Sequence, residues 1–225
     1  MLRLPRRAYE KCILIGKGIW RRTRLAVRRR QVTAALTGKQ PPLRLHFGCG
    51  ANYLDGWVNL DSQRVPRVDI AWDLNDGLPL PDESCRLIYS EHVLEHFPVD
   101  RGLALLGECR RVLASDGMLR IAMPSLEHLV GKYVSSDWRD QDWLRLPQFG
   151  FIQTRAEMLN IAFRWWGHEW LYDREELHRR LREAGFDAVA DLPWGESEIA
   201  ELRGLETRAD SRLICEARKT PPTGR

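Results

Sequence analysis

Five short apolar runs, each halted by a glycine, an acid or a proline, constrain the fold of this chain more than any other feature. They are Leu43–Phe47 before Gly48, Trp57–Leu60 before Asp61, Val68–Trp72 before Asp73, Arg86–Ser90 before Glu91, and Met118–Met123 before Pro124. Runs of this length bounded by turn residues read as buried strands. Between and after them lie helical patterns. Residues 100–114 carry apolar side chains at 103, 106, 109, 112 and 113, with Asp100 placed to cap. Residues 173–184 have Asp173 and Glu176 at capping-box spacing and Gly185 after the last turn. Phe186–Leu192 and Ser211–Ala217 complete a set of seven strands. The alternation predicts an α/β fold, a mostly parallel sheet with helices on both faces. Residues 125–172 break the rhythm and are expected to form an inserted cap between strands five and six.

Composition adds an asymmetry. Residues 1–40 hold twelve Lys/Arg and one acid, Glu10, a local balance of +11, although the whole chain carries only +4. The body, residues 41–225, is therefore mildly acidic, and residues 1–40 are a basic arm and linker ending in "TGKQPP". Lys17, Arg21, Arg24 and Arg28 form one stripe on a helix. The arm can be a solvated extension, an interfacial helix drawn to anionic lipid through residues 1–36, or a phosphate-neutralising tail. No nucleic-acid reading motif accompanies it, so nucleic acid is not the expected partner. Cys12, Cys49, Cys85, Cys109 and Cys215 are scattered and odd in number, which argues against a disulfide framework or a zinc site and suits a reducing compartment. The longest apolar run near the start, Cys12–Ile15, falls far short of the ~20 residues of a membrane span and of a signal peptide's apolar region. The expected location is cytoplasmic, with peripheral association at the inner face of the membrane through the arm.

In open α/β sheets ligands bind beyond the carboxyl ends of the strands, at the point where strand order reverses. Gly48-Cys49-Gly50 stands at such an end, where it is either a tight turn or a loop that lets a ligand approach the backbone. It is not a dinucleotide loop, because Tyr53 stands where a third glycine would be, and no G-K-[ST] follows for a phosphate loop. Asp61 can accept the two hydroxyls of a ribose, or be a surface turn acid. Asp73 can take an adenine N–H while the Leu74 N–H meets a ring nitrogen, or simply cap a turn.

Taken in order, "LHFGCG", "GWVNLD", "DLNDGLPLPDESCRLIYSEHVLEHF" and "ECRRVLASDGMLRIAMPSLEHL" resemble the class I S-adenosylmethionine-dependent methyltransferases. The type 11-like members are nearest, in particular a small bacterial group associated with surface-polysaccharide genes. The resemblance covers roughly residues 43–123 and implies a Rossmann-like fold with S-adenosylmethionine as cofactor. It implies that Gly48, Cys49 and Gly50 pack against the methionine part, Asp61 holds the ribose, and Asp73 with Leu74 the adenine. Ser90 and Glu91 would lie beneath the sulfonium. The chain departs from the common pattern at His46, where an acid is usual, at Asn52, where a third glycine is usual, and in a shortened first helix.

Methyl transfer needs alignment and, for a hydroxyl acceptor, removal of a proton, a task suited to histidine. His92 and His96 in "SEHVLEHF" share one face if that stretch is helical. They could pack a helix start or ligate a metal, but H-E-x-x-H is absent and no metal is expected. His92 is the better catalytic candidate of the pair. His168 lies at the end of a cap that concentrates Trp138, Trp143, Trp165, Trp166 and Trp170, five of the nine tryptophans. It either packs the lid or serves as base, and it is the favoured candidate. The expected activity is methylation of a small-molecule or glycan-linked acceptor, most readily at a hydroxyl. Two alternatives stand: a cofactor-binding scaffold docked through the arm, or a nucleic-acid methyltransferase, which lacks the expected "N-P-P-Y" or "D-P-P-Y" after strand four.

Overall fold

The computed structural model describes Arg30 and residues 32–220, so the expectations placed on the basic stripe of the arm lie outside the described residues. The chain divides into two units, Met1–Lys39 and Gln40–Arg225. The described part of the first is a short helical stretch ending in a turn at 37–38.

The second unit is built on one seven-stranded sheet in the order β3-β2-β1-β4-β5-β7-β6. The strands are β1 (Leu43–Phe47), β2 (Val58–Asp61), β3 (Ile70–Ala71), β4 (Cys85–Glu91), β5 (Leu113–Met123), β6 (Ala188–Asp191) and β7 (Leu213–Arg218). The first five run parallel, and β7 is antiparallel to both β5 and β6. This is the α/β sheet expected from the alternation, Rossmann-like as the resemblance implies. Strand order reverses between β1 and β4, so the segments after Phe47 and Glu91 flank the switch point. Because β7 runs the other way, the segment before Leu213 arrives at that same edge.

Among the described residues of this unit the α-helices are α1 (Val99–Val112), α2 (Leu126–Val134), α3 (Arg155–Arg164) and α4 (Arg174–Glu183). Helix α1 buries Leu105, Leu106, Cys109 and Val112, a stripe at helical spacing. Two details differ from expectation. Pro98, not Asp100, sits at its N-cap and no side chain caps it, because proline's fixed φ already sets the entry. The "SDG" expected as a turn is absorbed into β5, which starts at Leu113, with Asp116 at φ 63 taking up the irregularity. Asp173 does cap α4, accepting the Glu176 N–H at 2.9 Å.

The sheet face bearing Leu87, Tyr89, Met118, Ala122 and Ile214 is closed by Trp57 and by Leu54, Leu192, Ile199, Leu202 and Leu205. The cover there is chain segment with one 3-10 turn, Ala200–Leu202. A buried ion cluster fastens it. Arg120 on β5, 0 % exposed, donates to Glu206 at 2.7 Å, to Glu216 at 2.8 Å and to the Glu196 carbonyl at 2.8 Å.

Residues 125–172 form the cap. Its two ends meet in a bridge between Ser125 and Tyr172. Its own small core gathers Phe149, Ile152, Met158 and Ile161, with Trp138 and Trp143 packed against them. Thr154 and Glu157 make a reciprocal capping box at the start of α3.

Candidate active site

The glycine loop has the backbone its residues permit. Gly48 sits at φ 66 and Gly50 at φ 50, both in the left-handed region that favours glycine. A Cβ on Gly48 would lie 2.1 Å from Val93 Cγ2, so the loop rests directly on the segment after β4. A Cβ on Gly50 would meet nothing within 4 Å. Gly48→Ala is expected to cost about 1–3 kcal/mol, since overpacking and an unfavourable φ act together. An unchanged midpoint in urea unfolding would contradict this.

Asp61 ends β2 and is tied to the loop. Its Oδ2 accepts the Gly50 N–H at 2.8 Å and its Oδ1 the Gln63 N–H at 2.8 Å. Oδ1 also accepts the Ser62 hydroxyl at 3.4 Å, while Oδ2 keeps a second lone pair. Asp73 follows β3, exposed, with Oδ1 accepting from Asn75 N and Nδ2, and caps the turn Leu74–Asp76. Cys49 is buried, and burial with the nearby Asp61 charge pushes its thiol up to about 12, so it packs as an apolar group.

Residues 48–54 line a cavity of about 510 Å³ with His46, Tyr89, Glu91, Thr207 and Arg208. His46 is buried beside the Tyr89 ring at 5.1 Å, and burial lowers its pKa to about 4. A neutral imidazole thus replaces the usual acid. Asn52, in place of a glycine, donates through Nδ2 to Thr207 Oγ1 at 2.9 Å. No helix follows β1 before β2; residues 48–57 cross as loop and turn.

Glu91, expected beneath the sulfonium, also has a structural part. It lines the cavity, but its carboxylate gathers the segment before β7, accepting from Thr207 N at 3.0 Å, Thr207 Oγ1 at 2.6 Å, Arg208 N at 3.0 Å and Ser211 Oγ at 2.8 Å. Ser90 is buried with its Oγ unpartnered and lines neither this cavity nor the next.

A second cavity, about 490 Å³, lies under the cap. Four histidines wall it: His92, His96, His128 and His168. Arg208 lines both cavities. The condition for His92 and His96 to share a helical face, a helix through both, is not met. His92 stands at φ 53 and only Leu94–His96 make a 3-10 turn, because residue 92 turns sharply off the strand and cannot begin a helix. His92 is buried with Nε2 3.1 Å from Ser211 Oγ, and burial with the Arg208 charge lowers its pKa to about 3. His168 holds Nδ1 2.7 Å from the Ala162 carbonyl, which can only accept, so Nε2 is its lone-pair nitrogen. Burial also lowers the pKa values of His96, His128 and His168. Glu95 is 0 % exposed and neither carboxylate oxygen has a hydrogen-bond partner; desolvation raises its pKa to about 8.

The structure thus brings together Gly48, Cys49, Gly50, Asp61 and Glu91, sets Asp73 and Leu74 on the neighbouring turn, and places His92 and His168 in the second cavity. Glu95, Thr207, Arg208 and Ser211 were not foreseen. The adjacent Glu95-His96 pair and the polar run "TRADS" before the last strand were the available signals.

Residues 49–121 match the family model for a methyltransferase domain. The match spans the glycine loop, both strand-end acids, β4 and most of β5, about a third of the chain. No curated protein matches the sequence. Among solved structures, the chain is similar to a SAM-dependent methyltransferase from Thermotoga maritima, at 16 % identity over 91 % of this chain and 97 % of that one, TM-score 0.48. It is also similar to one from Archaeoglobus fulgidus, at 17 % identity over 85 % and 94 %, TM-score 0.46. Likenesses this distant carry nothing about substrate. Among the described residues no helix is long and apolar enough to cross a membrane.

Proposed function

We propose that this chain is an S-adenosylmethionine-dependent methyltransferase acting on a hydroxyl of a small-molecule or glycan-linked acceptor. The observation that carries the reading is the shared wall. The matched end of β4 presents Glu91 to the glycine-loop cavity, and the segment that follows presents His92 and His96 to the histidine-lined one, with Arg208 bordering both. Cofactor and acceptor can therefore be held on two sides of one short segment.

The residues present fit an adenosyl ligand. Asp61 Oδ2 retains a lone pair for a ribose hydroxyl, Gly50 faces open space, and buried polar atoms at the cavity, His46 Nδ1 and the Tyr89 hydroxyl, lack partners. When bound, the cofactor supplies a methyl already activated on a sulfonium. The protein's share is then to orient the acceptor, exclude water and accept a proton. Trp143, Trp166 and Phe149 wall the acceptor cavity with flat apolar surface suited to a sugar ring. His168, with Nδ1–H fixed on a carbonyl, turns a single lone pair to the task, and His92 stands beside it against Ser211.

Calorimetric titration with S-adenosylmethionine tests the reading first, and the absence of binding to the wild type sinks it. With a methylated acceptor in hand, His168→Ala should lower kcat by about 10²-fold or more while cofactor affinity stays within twofold. Equal loss of cofactor affinity would instead mark His168 as structural.

A further inference from the structure

We infer that Glu95, His96 and His168 form a binding site for a divalent first-row transition cation, the two histidines on the wall of the acceptor cavity and Glu95 buried beside them. The three ligand atoms lie within 4.8 Å of one another. Two imidazoles and one carboxylate, leaving further positions open, make up a donor set that suits Zn²⁺ and its neighbours.

Three observations converge. Glu95 is fully buried and both its oxygens lack hydrogen-bond partners. His92 Nδ1, on an imidazole that burial keeps neutral, is 3.5 Å from Glu95 Oε1. A carboxyl group in that position is costly unless something satisfies it. Next, both histidines are prepared as ligands. His96 Nδ1 faces the Gly167 carbonyl at 3.3 Å and His168 Nδ1 the Ala162 carbonyl at 2.7 Å, so each directs a bare Nε2 elsewhere. Outer hydrogen bonds of this kind fix the tautomer and orientation of ligating histidines. The rings stand edge to face with centroids 5.0 Å apart.

The third observation is that the backbone is shaped to bring them together. The Glu95 carbonyl accepts the N–H groups of Glu169 at 2.8 Å and Trp170 at 3.1 Å, which hangs the end of the cap on the turn carrying Glu95 and His96. Trp166 is held at φ 61, a strained conformation for a bulky residue, just before the carbonyl that orients His96.

The contrasting cluster His178, Asp191 and Cys215 is satisfied from within: His178 Nε2 is 2.8 Å from Asp191 Oδ1 and Arg174 lies 3.1 Å from Oδ2. Around the proposed site Arg208 and Arg212 are offset by Asp142 and Asp210 on the same wall.

The use of the cation rests on the methyl-transfer reading. It would hold the acceptor oxygen and lower its pKa. The hydroxyl proton would leave to water, and an O–CH₃ bond would replace the S–CH₃ bond. His168 then acts as a ligand rather than as the proton acceptor itself.

The test uses the full chain dialysed against a chelator and titrated with Zn²⁺ in a calorimeter, and with Co²⁺ by visible absorption. The wild type should take up one equivalent and give a Co²⁺ spectrum of N/O coordination. Glu95→Gln, His96→Ala and His168→Ala should each weaken uptake by about 10²-fold or more, and His178→Ala should leave it unchanged. Glu95→Gln conserves volume, so its melting curve separates lost ligation from lost folding. No stoichiometric uptake by the wild type, or uptake indifferent to these three variants, overturns the site. S-adenosylmethionine titrated into the same samples keeps the two readings apart, since cation uptake without cofactor binding would refute methyl transfer and leave the site standing.

Discussion

Asp61→Ala is expected to raise the dissociation constant for S-adenosylmethionine by roughly 10²-fold or more, with little change in overall stability. Two losses combine. A carboxylate that accepts a ribose hydroxyl makes a charged hydrogen bond worth about 1.5–3 kcal/mol. The same carboxylate also holds the Gly50 N–H at 2.8 Å and so sets the shape of the glycine loop. Asp61→Asn separates the two, because the amide oxygen can keep the Gly50 bond while surrendering the charge. Affinity should fall in the order wild type, Asn, Ala. Calorimetry that finds all three equal would remove Asp61 from the cofactor site.

Replacing Arg120 by methionine should destabilise the fold by about 3–5 kcal/mol, the usual cost of stranding a buried charge by deleting its partner. Arg120 is 0 % exposed, and the side chains of Glu206 and Glu216 are 0 % and 7 % exposed. Removing the guanidinium leaves two carboxylates facing each other in the interior. The double variant Arg120→Met, Glu206→Leu should recover part of the loss, since a whole ion pair exchanged for apolar packing is often tolerated. Urea unfolding reads both, and a loss under about 1 kcal/mol for the single variant would show that water reaches the pair. The effect should extend to the site. Glu206 precedes Thr207 in the segment that Glu91 gathers, so the single variant should also weaken cofactor binding.

The glycine loop, Asp61 and Asp73 were legible because each is local: a short apolar run and the residue that halts it are adjacent in the chain. The role of Glu91 was not, since its four donor groups come from residues 207–211, brought to the switch-point edge only because β7 runs antiparallel to β5. Spacing within "SEHVLEHF" relates His92 only to His96 and predicts no metal. The partner that matters to His96 stands at 168, across the cap.

By itself the sequence determined the strand set, the α/β alternation, the glycine loop and the strand-end acids, since these follow from hydrophobic period and from the dihedrals glycine allows. Only the tertiary structure decided which face of each buried polar residue meets which partner. Arg120 sits in the middle of an apolar strand pattern and reads as an exception until β7 supplies Glu216 and the loop supplies Glu206. Glu95 carries no signal of burial in the sequence, and only in the fold is it fully buried where the end of the cap is hung on its carbonyl. Burial removes water as the universal hydrogen-bond partner, so what such a group does depends on the few atoms that folding places within about 4 Å of it.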